Sequence, residues 1–249
     1  MNWSEHYAAI YRARKDYLKP ILEFDEIMLG DLLGLESQKK ALFENTLNFL
    51  QNKGANHALL WGARGSGKSS LIKAIFNEFK FQGLRLVQIY KDDLFALPDI
   101  IDELRICEFK FIIFCDDFSF EKNDDTYKFL KPLLDGGIEK SPENILIYAS
   151  SNRRHLLSES IKDNEELKEL HSNDSIEERL SLSDRFGLWL SFYEGDFKEY
   201  LKIVDFYFKD MVCDREILHQ KAKEFSYLRA SKSGRTAKQF YLAYKEGFK

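Results

Sequence analysis

The amino-acid sequence predicts a three-layer α/β fold, in which helices cover both faces of a parallel five-stranded sheet, with a small helical unit at the carboxyl end. Three observations predict this architecture. Five short apolar runs alternate with helical patterns, these runs show little polar alternation, and only helical patterns follow Gly195. Continuous apolar strands are typical of sheets buried on both faces, and strand–helix alternation is typical of parallel sheets.

The predicted strands are the five apolar runs, at residues 57–62, 84–90, 109–117, 144–152 and 187–195. We expect residues 54–195 to form the core, because strand and helix patterns alternate throughout this range. Residues 1–53 are predicted to be an N-terminal helical segment and linker, since apolar residues recur at helical spacing after Ser37 in SQKKALFENTLNFLQNK.

Residues 196–249 are predicted to form a separate unit, which we call the helical lid. Three helical patterns occupy it, at about 197–211, 214–230 and 233–247. Because no strand pattern interrupts them, this part of the chain differs from the alternating core.

Composition excludes several classes of protein. The chain has 249 residues, of which 44% are apolar and 31% charged, as is typical of a soluble globular protein. Its formal net charge of −4 provides neither a basic nucleic-acid arm nor a polybasic membrane anchor. No apolar run approaches the roughly 18 to 20 residues that span a bilayer, so we expect no membrane partner. Three cysteines, an odd number without metal-like spacing, favour the reducing cytoplasm.

A phosphate-binding motif, which we call the P-loop, follows the first predicted strand. The segment GARGSGKS satisfies the pattern G-x-x-x-x-G-K-[ST], with Gly62, Gly67, Lys68 and Ser69 at the fixed positions. Glycines let backbone N–H groups curl around a phosphate, and the helix N-terminus adds partial positive charge. The lysine supplies a charge to the β- and γ-phosphates, and the serine hydroxyl can ligate Mg²⁺. The residues predicted to contact the nucleotide here are Gly62, Ala63, Arg64, Gly65, Ser66, Gly67, Lys68, Ser69 and Ser70.

Two carboxylates end the third predicted strand, FIIFCDD. This is the Walker B form, in which we expect Asp116 to hold Mg²⁺ and Asp117 to polarise the attacking water. A glutamate commonly does the second task, and an aspartate reaches about 1.5 Å less, one C–C bond. Hydrolysis is therefore expected to be slow, or to be assisted by Glu121, four residues further along the chain.

Asn152 ends the fourth predicted strand, in the segment ASSNRRH. If this strand lies beside the Walker B strand, the asparagine can orient the attacking water. The alternative is an ordinary turn residue at a strand end. Arg153 and Arg154 follow, and surface salt bridges are the default interpretation for both.

Taken in order, these segments resemble an AAA+ ATPase over about residues 26–246. The segments LLWGARGSGKSSLIKA, KDDL, FCDDFSFE, SNRRHL and LSDRFGLWLSFY together look like a bacterial AAA+ family known only as a domain of unknown function. The resemblance implies a P-loop NTPase of the ASCE/AAA+ type, with ATP and Mg²⁺ as cofactors and an ATP-dependent homo-oligomer as the assembly. It also implies that MLGDLLGLESQKKAL lines an adenine pocket.

Two arginines receive roles from this resemblance. Arg185, in SLSDRFG, lies where an AAA+ arginine reaches the γ-phosphate of a neighbouring subunit. Arg235, in SKSGRTAKQF, lies where a sensor 2 arginine contacts the nucleotide from the lid. A helix-capping or ion-pair role is the alternative for each arginine.

Several functions remain open at this point. The first is an ATP-driven remodeller that works as a ring or partial ring on an unknown macromolecule, with a protein substrate favoured. The second is a nucleic-acid loader or switch of the helicase-loader or branch-migration type. It requires a basic, aromatic-lined groove, for which YRARKDYLK and NRRH are the candidate segments. A small-molecule kinase and an ATP-binding scaffold with little hydrolysis are further alternatives. The guanine-reading pattern N-K-x-D is absent, which favours adenine.

Overall fold

The computed structural model describes residues 1–119, 126–130, 133–134, 140–152 and 184–248. In this part of the chain the strands are β1 (Ala8–Arg12), β2 (Tyr17–Ile21), β3 (Ala58–Gly62), β4 (Leu84–Ile89), β5 (Lys110–Cys115), β6 (Ile145–Ser151) and β7 (Leu188–Phe192). The α-helices are α1 (Glu36–Leu50), α2 (Lys68–Phe79), α3 (Leu97–Arg105), α4 (Phe197–Tyr207), α5 (Arg215–Leu228) and α6 (Gly234–Tyr244). None of these helices is long and apolar enough to cross a membrane.

One sheet joins all of these strands, in the order β2-β1-β4-β5-β6-β3-β7. Six strands, β1 and β3 to β7, run in the same direction, whereas β2 runs antiparallel to β1. The five predicted strands are present as β3 to β7, which confirms the parallel α/β class. Because these strands are parallel, their carboxyl ends meet along one side of the sheet, which we call the carboxyl edge.

The sheet has seven strands where the sequence predicted five, and the difference lies in the N-terminal segment. Helix within residues 1–53 is confirmed for α1, but β1 and β2 form a hairpin at the sheet edge instead of helix. The segments AAIYR of β1 and YLKPI of β2 contain charged residues and a proline, so neither reads as a continuous apolar run. The hairpin is stabilised instead by contacts with residues that are distant in the sequence. β1 pairs with β4, and the buried Arg85 donates from Nε to the Trp3 carbonyl at 2.7 Å.

Apolar side chains of the strands alternate between two cores, one on each face of the sheet. In β3, Leu59 belongs to the core that α3 covers, whereas Leu60 belongs to the core that α1 and α2 cover. The buried Tyr148 hydroxyl of β6 is satisfied by α1, because it lies 2.8 Å from Thr46 Oγ1 and 3.0 Å from Asn45 Nδ2. Two covered faces explain why the strands read as continuous apolar runs.

The lid helices bury a third core of their own. Its members are Tyr200, Val204, Phe208, Leu218, Ala222, Ala237 and Phe240. Each helix begins at a side chain that accepts a backbone N–H, namely Asp196 for α4, Asp214 for α5 and Ser233 for α6. These caps explain why each of the three helices begins within one residue of its predicted position.

The segment before α1 is held against α2 and reaches the P-loop. Asn77 Nδ2 donates to the carbonyls of Asp25 and Ile27 at 2.8 and 3.0 Å. Further along, Leu35 lies so near the loop that a Cβ on Gly67 would come within 2.9 Å of its Cδ1. The predicted wall of the adenine pocket therefore lies next to the predicted phosphate site.

Candidate nucleotide-binding site

The P-loop connects β3 to α2 at the carboxyl edge of the sheet. Gly62 has a φ of 131°, and a Cβ there would lie 1.9 Å from the Phe192 carbonyl oxygen. This close approach lets the Ala63 N–H donate to the same oxygen at 2.8 Å. Ser66 Oγ donates to the Ala63 carbonyl at 2.7 Å and closes the turn. A residue with a Cβ at position 62 would therefore collide with the backbone of β7, so the close packing of β7 requires a glycine here, as does the predicted approach of the loop to phosphate.

Lys68, the first residue of α2, is buried, with 6% of its surface exposed. Its ammonium donates to the carbonyls of Gly62 and Ala63 at 2.9 and 2.6 Å and to Asn152 Oδ1 at 3.2 Å. Burial lowers the pKa of Lys68 to about 8, although the carboxylates of Asp116 and Asp117 act in the opposite direction. The ammonium is thus held within the loop and stays mostly charged at neutral pH.

Asp116, which follows β5, contacts Ser69, the second residue of α2. Ser69 Oγ donates to Asp116 Oδ1 at 2.6 Å, and the Ser150 hydroxyl donates to the same carboxylate oxygen. A carboxylate and a hydroxyl are the hard oxygen ligands that Mg²⁺ takes, usually together with waters and phosphate oxygens. A hydroxyl that donates its hydrogen keeps lone pairs for a metal. These two side chains therefore fit the predicted magnesium site.

Asp117 lies at the turn that follows β5, in the left-handed region with a φ of 52°. Its Oδ1 accepts a hydrogen bond from Asn152 Nδ2 at 2.7 Å. Asn152 also accepts from Lys68, so its amide links the P-loop lysine to the second Walker B carboxylate. The sequence placed Asn152 beside the Walker B strand, and β6 does lie next to β5. Glu121, with Arg153 and Arg154, lies outside the described residues.

The lid contacts the P-loop directly through the start of α6. The Arg235 N–H donates to the Gly65 carbonyl at 3.4 Å, and a Cβ on Gly65 would lie 2.7 Å from Ser233 Oγ. The Arg235 side chain is exposed, and its charge, like that of Arg64, lowers the pKa of Lys68. The positive charge of the Arg235 guanidinium therefore acts on the Lys68 ammonium in the P-loop.

A cleft of about 370 Å³ opens between the P-loop, the segment before α1 and the lid. Leu33 and Leu35 form one wall, and Ile203 of α4 belongs to the opposite wall. Arg64 and Ser66 line the end of the cleft that lies nearest to the phosphate loop. The other lining side chains are mostly charged, so apolar contacts occupy only part of the cleft.

Arg185 is the predicted site residue that lies apart from this cluster. It is half-buried and lies three residues before the start of β7. Its neighbour Phe186 packs against Phe118 with ring centroids 6.2 Å apart. The structure brings together the P-loop, both Walker B carboxylates, Asn152 and the Arg235 backbone. Arg185 instead precedes β7, the edge strand that lies on the other side of β3 from the Walker B strand.

Sequence reasoning missed Ser150, which contacts both Walker B residues. Its hydroxyl donates to Asp116, and it accepts the Asp117 N–H at 3.2 Å. The signal was available, because Ser150 precedes Asn152 by two residues within the predicted strand at 144–152. Alternate residues of a strand share a face, so Asn152 at the site implied that Ser150 was directed to it as well.

This sheet order, with the P-loop strand separated from the Walker B strand by β6, and this lid define a P-loop protein of the AAA+ fold class. The family described as "Protein of unknown function (DUF815)" matches residues 4–247, and the chain belongs to that family. The resemblance read from the sequence is therefore confirmed. A comparison with curated proteins finds no significant match.

Two solved structures show the similarity of the fold. The RuvB Holliday junction branch migration motor of Thermotoga maritima is 16% identical, with a TM-score of 0.51 over 87% of this chain and 72% of that one. The AAA domain of FIGL-1 in complex with ADP is 19% identical, with a TM-score of 0.56 over 81% of this chain and 68% of that one. At these identities the likeness concerns the fold alone.

Proposed function

We propose that this protein binds ATP and hydrolyses it with Mg²⁺, and that it couples the cycle to the remodelling of another macromolecule, most simply a protein. The observation that carries the proposal is the hydrogen-bonded series Lys68–Asn152–Asp117, with Ser69 and Asp116 beside it. In this proposal Lys68 is the cation, Ser69 and Asp116 are the metal-ligating pair, and Asp117 and Asn152 are the water-orienting pair, all at the carboxyl edge of the sheet. Phosphoryl transfer needs these three kinds of group.

ATP is the proposed nucleotide. Its phosphates would occupy the P-loop, where Lys68 exchanges its carbonyl partners for phosphate oxygens. The adenine would enter the cleft between Leu35 and the lid, where Leu35 and Ile203 offer apolar contact to a flat base. Competition binding in which GTP equals or exceeds ATP would overturn this choice.

Ser69 and Asp116 would hold Mg²⁺, which neutralises charge on the phosphates when bound. Asp117 would polarise the attacking water, and Asn152 would orient it. Because Asp117 is one carbon shorter than the usual glutamate, we propose slow hydrolysis; Glu121 remains a candidate assistant. Arg235 would contact the phosphates from the lid.

We further propose that the active site is completed by a second copy of the chain. Arg185 lies apart from its own P-loop cluster, and a guanidinium suits γ-phosphate oxygens because it stays charged and can bond two of them. In a homo-oligomer formed with ATP, the arginine of one subunit would reach the nucleotide of the next.

A nucleic-acid loader or switch is the second candidate, and one observation favours it. β1 is parallel to β4, so the β1–β2 turn lies at the carboxyl edge of the sheet, with Arg14 and Lys15 exposed. These cations belong to the segment YRARKDYLK. The neighbouring Asp16, Asp92 and Asp93 offset much of their charge, so the protein-remodelling proposal remains the first.

Phosphate release from ATP by the purified chain, with and without Mg²⁺, tests the proposal. The parent should release phosphate only with Mg²⁺, whereas Asp117→Asn should bind ATP and release at least about tenfold less, since general-base steps are worth this much or more. The matched control is Asp92→Asn, an exposed aspartate after the neighbouring strand β4. Equal rates for parent and Asp117→Asn would contradict the assignment. Stimulation by single-stranded DNA, absent with a Lys15→Glu variant, would favour the second candidate.

A further inference from the structure

Ser150 makes contacts that a strand-end serine does not need. It is buried, with 2% of its surface exposed, at the end of β6. Its hydroxyl donates to Asp116 Oδ1, and its oxygen accepts the Asp117 N–H at 3.2 Å. Its backbone carbonyl accepts the next N–H, that of Phe118, at 2.6 Å. One residue therefore holds three successive positions of the Walker B turn.

The turn that Ser150 holds is an unfavourable one. Asp117 has a φ of 52°, and residues with a Cβ avoid this left-handed region unless the surroundings fix it. The side chain of Asp117 leaves the turn toward Asn152, which contacts it at 2.7 Å. A small rotation of this backbone would move the carboxylate away from Asn152. The bond from the Asp117 N–H to Ser150 opposes that rotation.

The same hydroxyl also orients the metal-binding carboxylate. Asp116 Oδ1 accepts from Ser69 Oγ at 2.6 Å and from Ser150, and the Asp117 N–H lies 3.2 Å from it. Three donors converge on one oxygen of Asp116 and fix its plane. The other oxygen of the carboxylate is then presented in one direction, which is what a metal with strict octahedral geometry requires.

We infer that Ser150 is a positioning residue of this site, which sets the orientation of Asp116 toward Mg²⁺ and of Asp117 toward the attacking water without itself contacting the nucleotide. The inference rests on the proposed ATPase function. A residue that acts in this way affects the affinity for Mg²⁺ and the rate of the chemical step, but leaves the affinity for metal-free ATP nearly unchanged. A serine that only satisfies the strand end would change stability and neither of these quantities.

Two variants and one control separate these roles. Ser150→Ala removes the hydroxyl, and Ser150→Thr retains it. Ser151→Ala is the matched control, because Ser151 is the next residue of β6, is equally buried at 1% exposure and points to the other face of the strand. Thermal unfolding of each variant establishes that it is folded before the other measurements are interpreted.

For Ser150→Ala we expect kcat to fall about 10- to 100-fold, because the variant loses one hydrogen bond to a charged group. The KM for ATP should stay within about twofold of the parent's value. The Mg²⁺ concentration for half-maximal rate should rise about tenfold. Ser150→Thr should recover most of the rate, and Ser151→Ala should resemble the parent. If Ser150→Ala keeps the parent's kcat and Mg²⁺ requirement, the inference is wrong.

Amide exchange followed by NMR gives a readout without nucleotide. In Ser150→Ala the Asp117 amide keeps only Asp116 Oδ1 as an acceptor, and that carboxylate loses the hydroxyl that orients it. The Asp117 amide should therefore exchange at least about tenfold faster, while the Phe118 amide, bonded to the Ser150 carbonyl, stays protected. Unchanged Asp117 exchange would overturn the inference even in an active enzyme. A parent that fails to bind ATP would contradict the proposed function instead, and the exchange rates would still decide whether Ser150 holds the turn.

Discussion

The two ends of the proposed nucleotide site are built differently. At the phosphate end, Lys68 is 6% exposed and contacts two carbonyls and Asn152 within 3.2 Å. At the base end, the cleft is open, and Tyr193 on its rim is 74% exposed. The phosphate end is therefore fixed by the sheet before any ligand arrives, whereas the base end depends on where the lid lies.

This difference separates two tasks. Preorganised polar groups lower the cost of binding phosphate and of the chemical step, because little has to move. An open cleft between two units can close around a base, and closure moves the lid. We therefore expect changes at the sheet edge to alter affinity and rate, and changes in the lid to alter the conformational response.

The largest expected effect concerns Arg185, which belongs to neither the phosphate end nor the base end of the proposed site. Arg185→Ala should bind ATP within about twofold of the parent but hydrolyse it about 10³- to 10⁵-fold more slowly, as arginine fingers do. The measurement is calorimetric binding together with phosphate release at several protein concentrations. In the parent, the rate should rise more than linearly with concentration.

Mixing two inactive variants tests whether Arg185 acts between subunits. Arg185→Ala retains the metal site, and Asp116→Asn retains the arginine, so a mixed interface can combine both intact halves. Partial recovery of hydrolysis would place the arginine in trans. If no activity returns and light scattering finds a monomer in saturating ATP, Arg185 has only a structural role.

A pH titration tests the buried lysine at the phosphate end. Burial lowers the pKa of Lys68 to about 8, so the free protein loses this cation between pH 7 and pH 9. ATP affinity should therefore fall as the pH rises, by about tenfold over this range, one power of ten per pH unit above the pKa. The control is Lys68→Arg, whose guanidinium stays charged. A parent with the same flat profile as Lys68→Arg would contradict the prediction.

The smallest expected effect concerns the lid. Arg235→Ala should weaken ATP binding only about fivefold, roughly 1 kcal/mol, because the side chain is exposed. It should, however, remove most of the nucleotide-dependent protection of residues 197–247 in hydrogen exchange. Lys238→Ala, another exposed residue of α6, is the control. Identical protection in the parent and in Arg235→Ala would count against a sensor role.

The parts of the fold that the sequence predicted well are those with a dense local signal. Strands β3 to β7 are mostly apolar and read as continuous runs, and the motif around Lys68 has a fixed spacing. The caps at Asp196 and Asp214 likewise mark helix starts. The hairpin β1–β2 was missed because its stability comes from pairing with β4 and from the buried Arg85, and both contacts are remote in sequence.

The same reasoning applies to the site. Motif spacing located Lys68, Asp116 and Asn152, but it could not show that Asn152 bonds Lys68 and Asp117 at the same time. That bridge depends on the order of β3, β6 and β5 in the sheet. Ser150 was missed for a related reason, since its spacing from Asn152 places both on one side of the strand but does not show that Ser150 contacts Asp116 and Asp117.

Calorimetric titration of ATP into the parent and into Lys68→Ala tests the central claim most directly. Lys73→Ala is the control, because Lys73 lies on the same helix but is exposed and pairs with Asp25 at 3.1 Å. Removal of the buried ammonium should weaken ATP binding about 100-fold, as expected for the loss of charge-assisted bonds to phosphate, with the control unchanged. Equal affinity in Lys68→Ala and the parent would show that the phosphates do not bind in this loop.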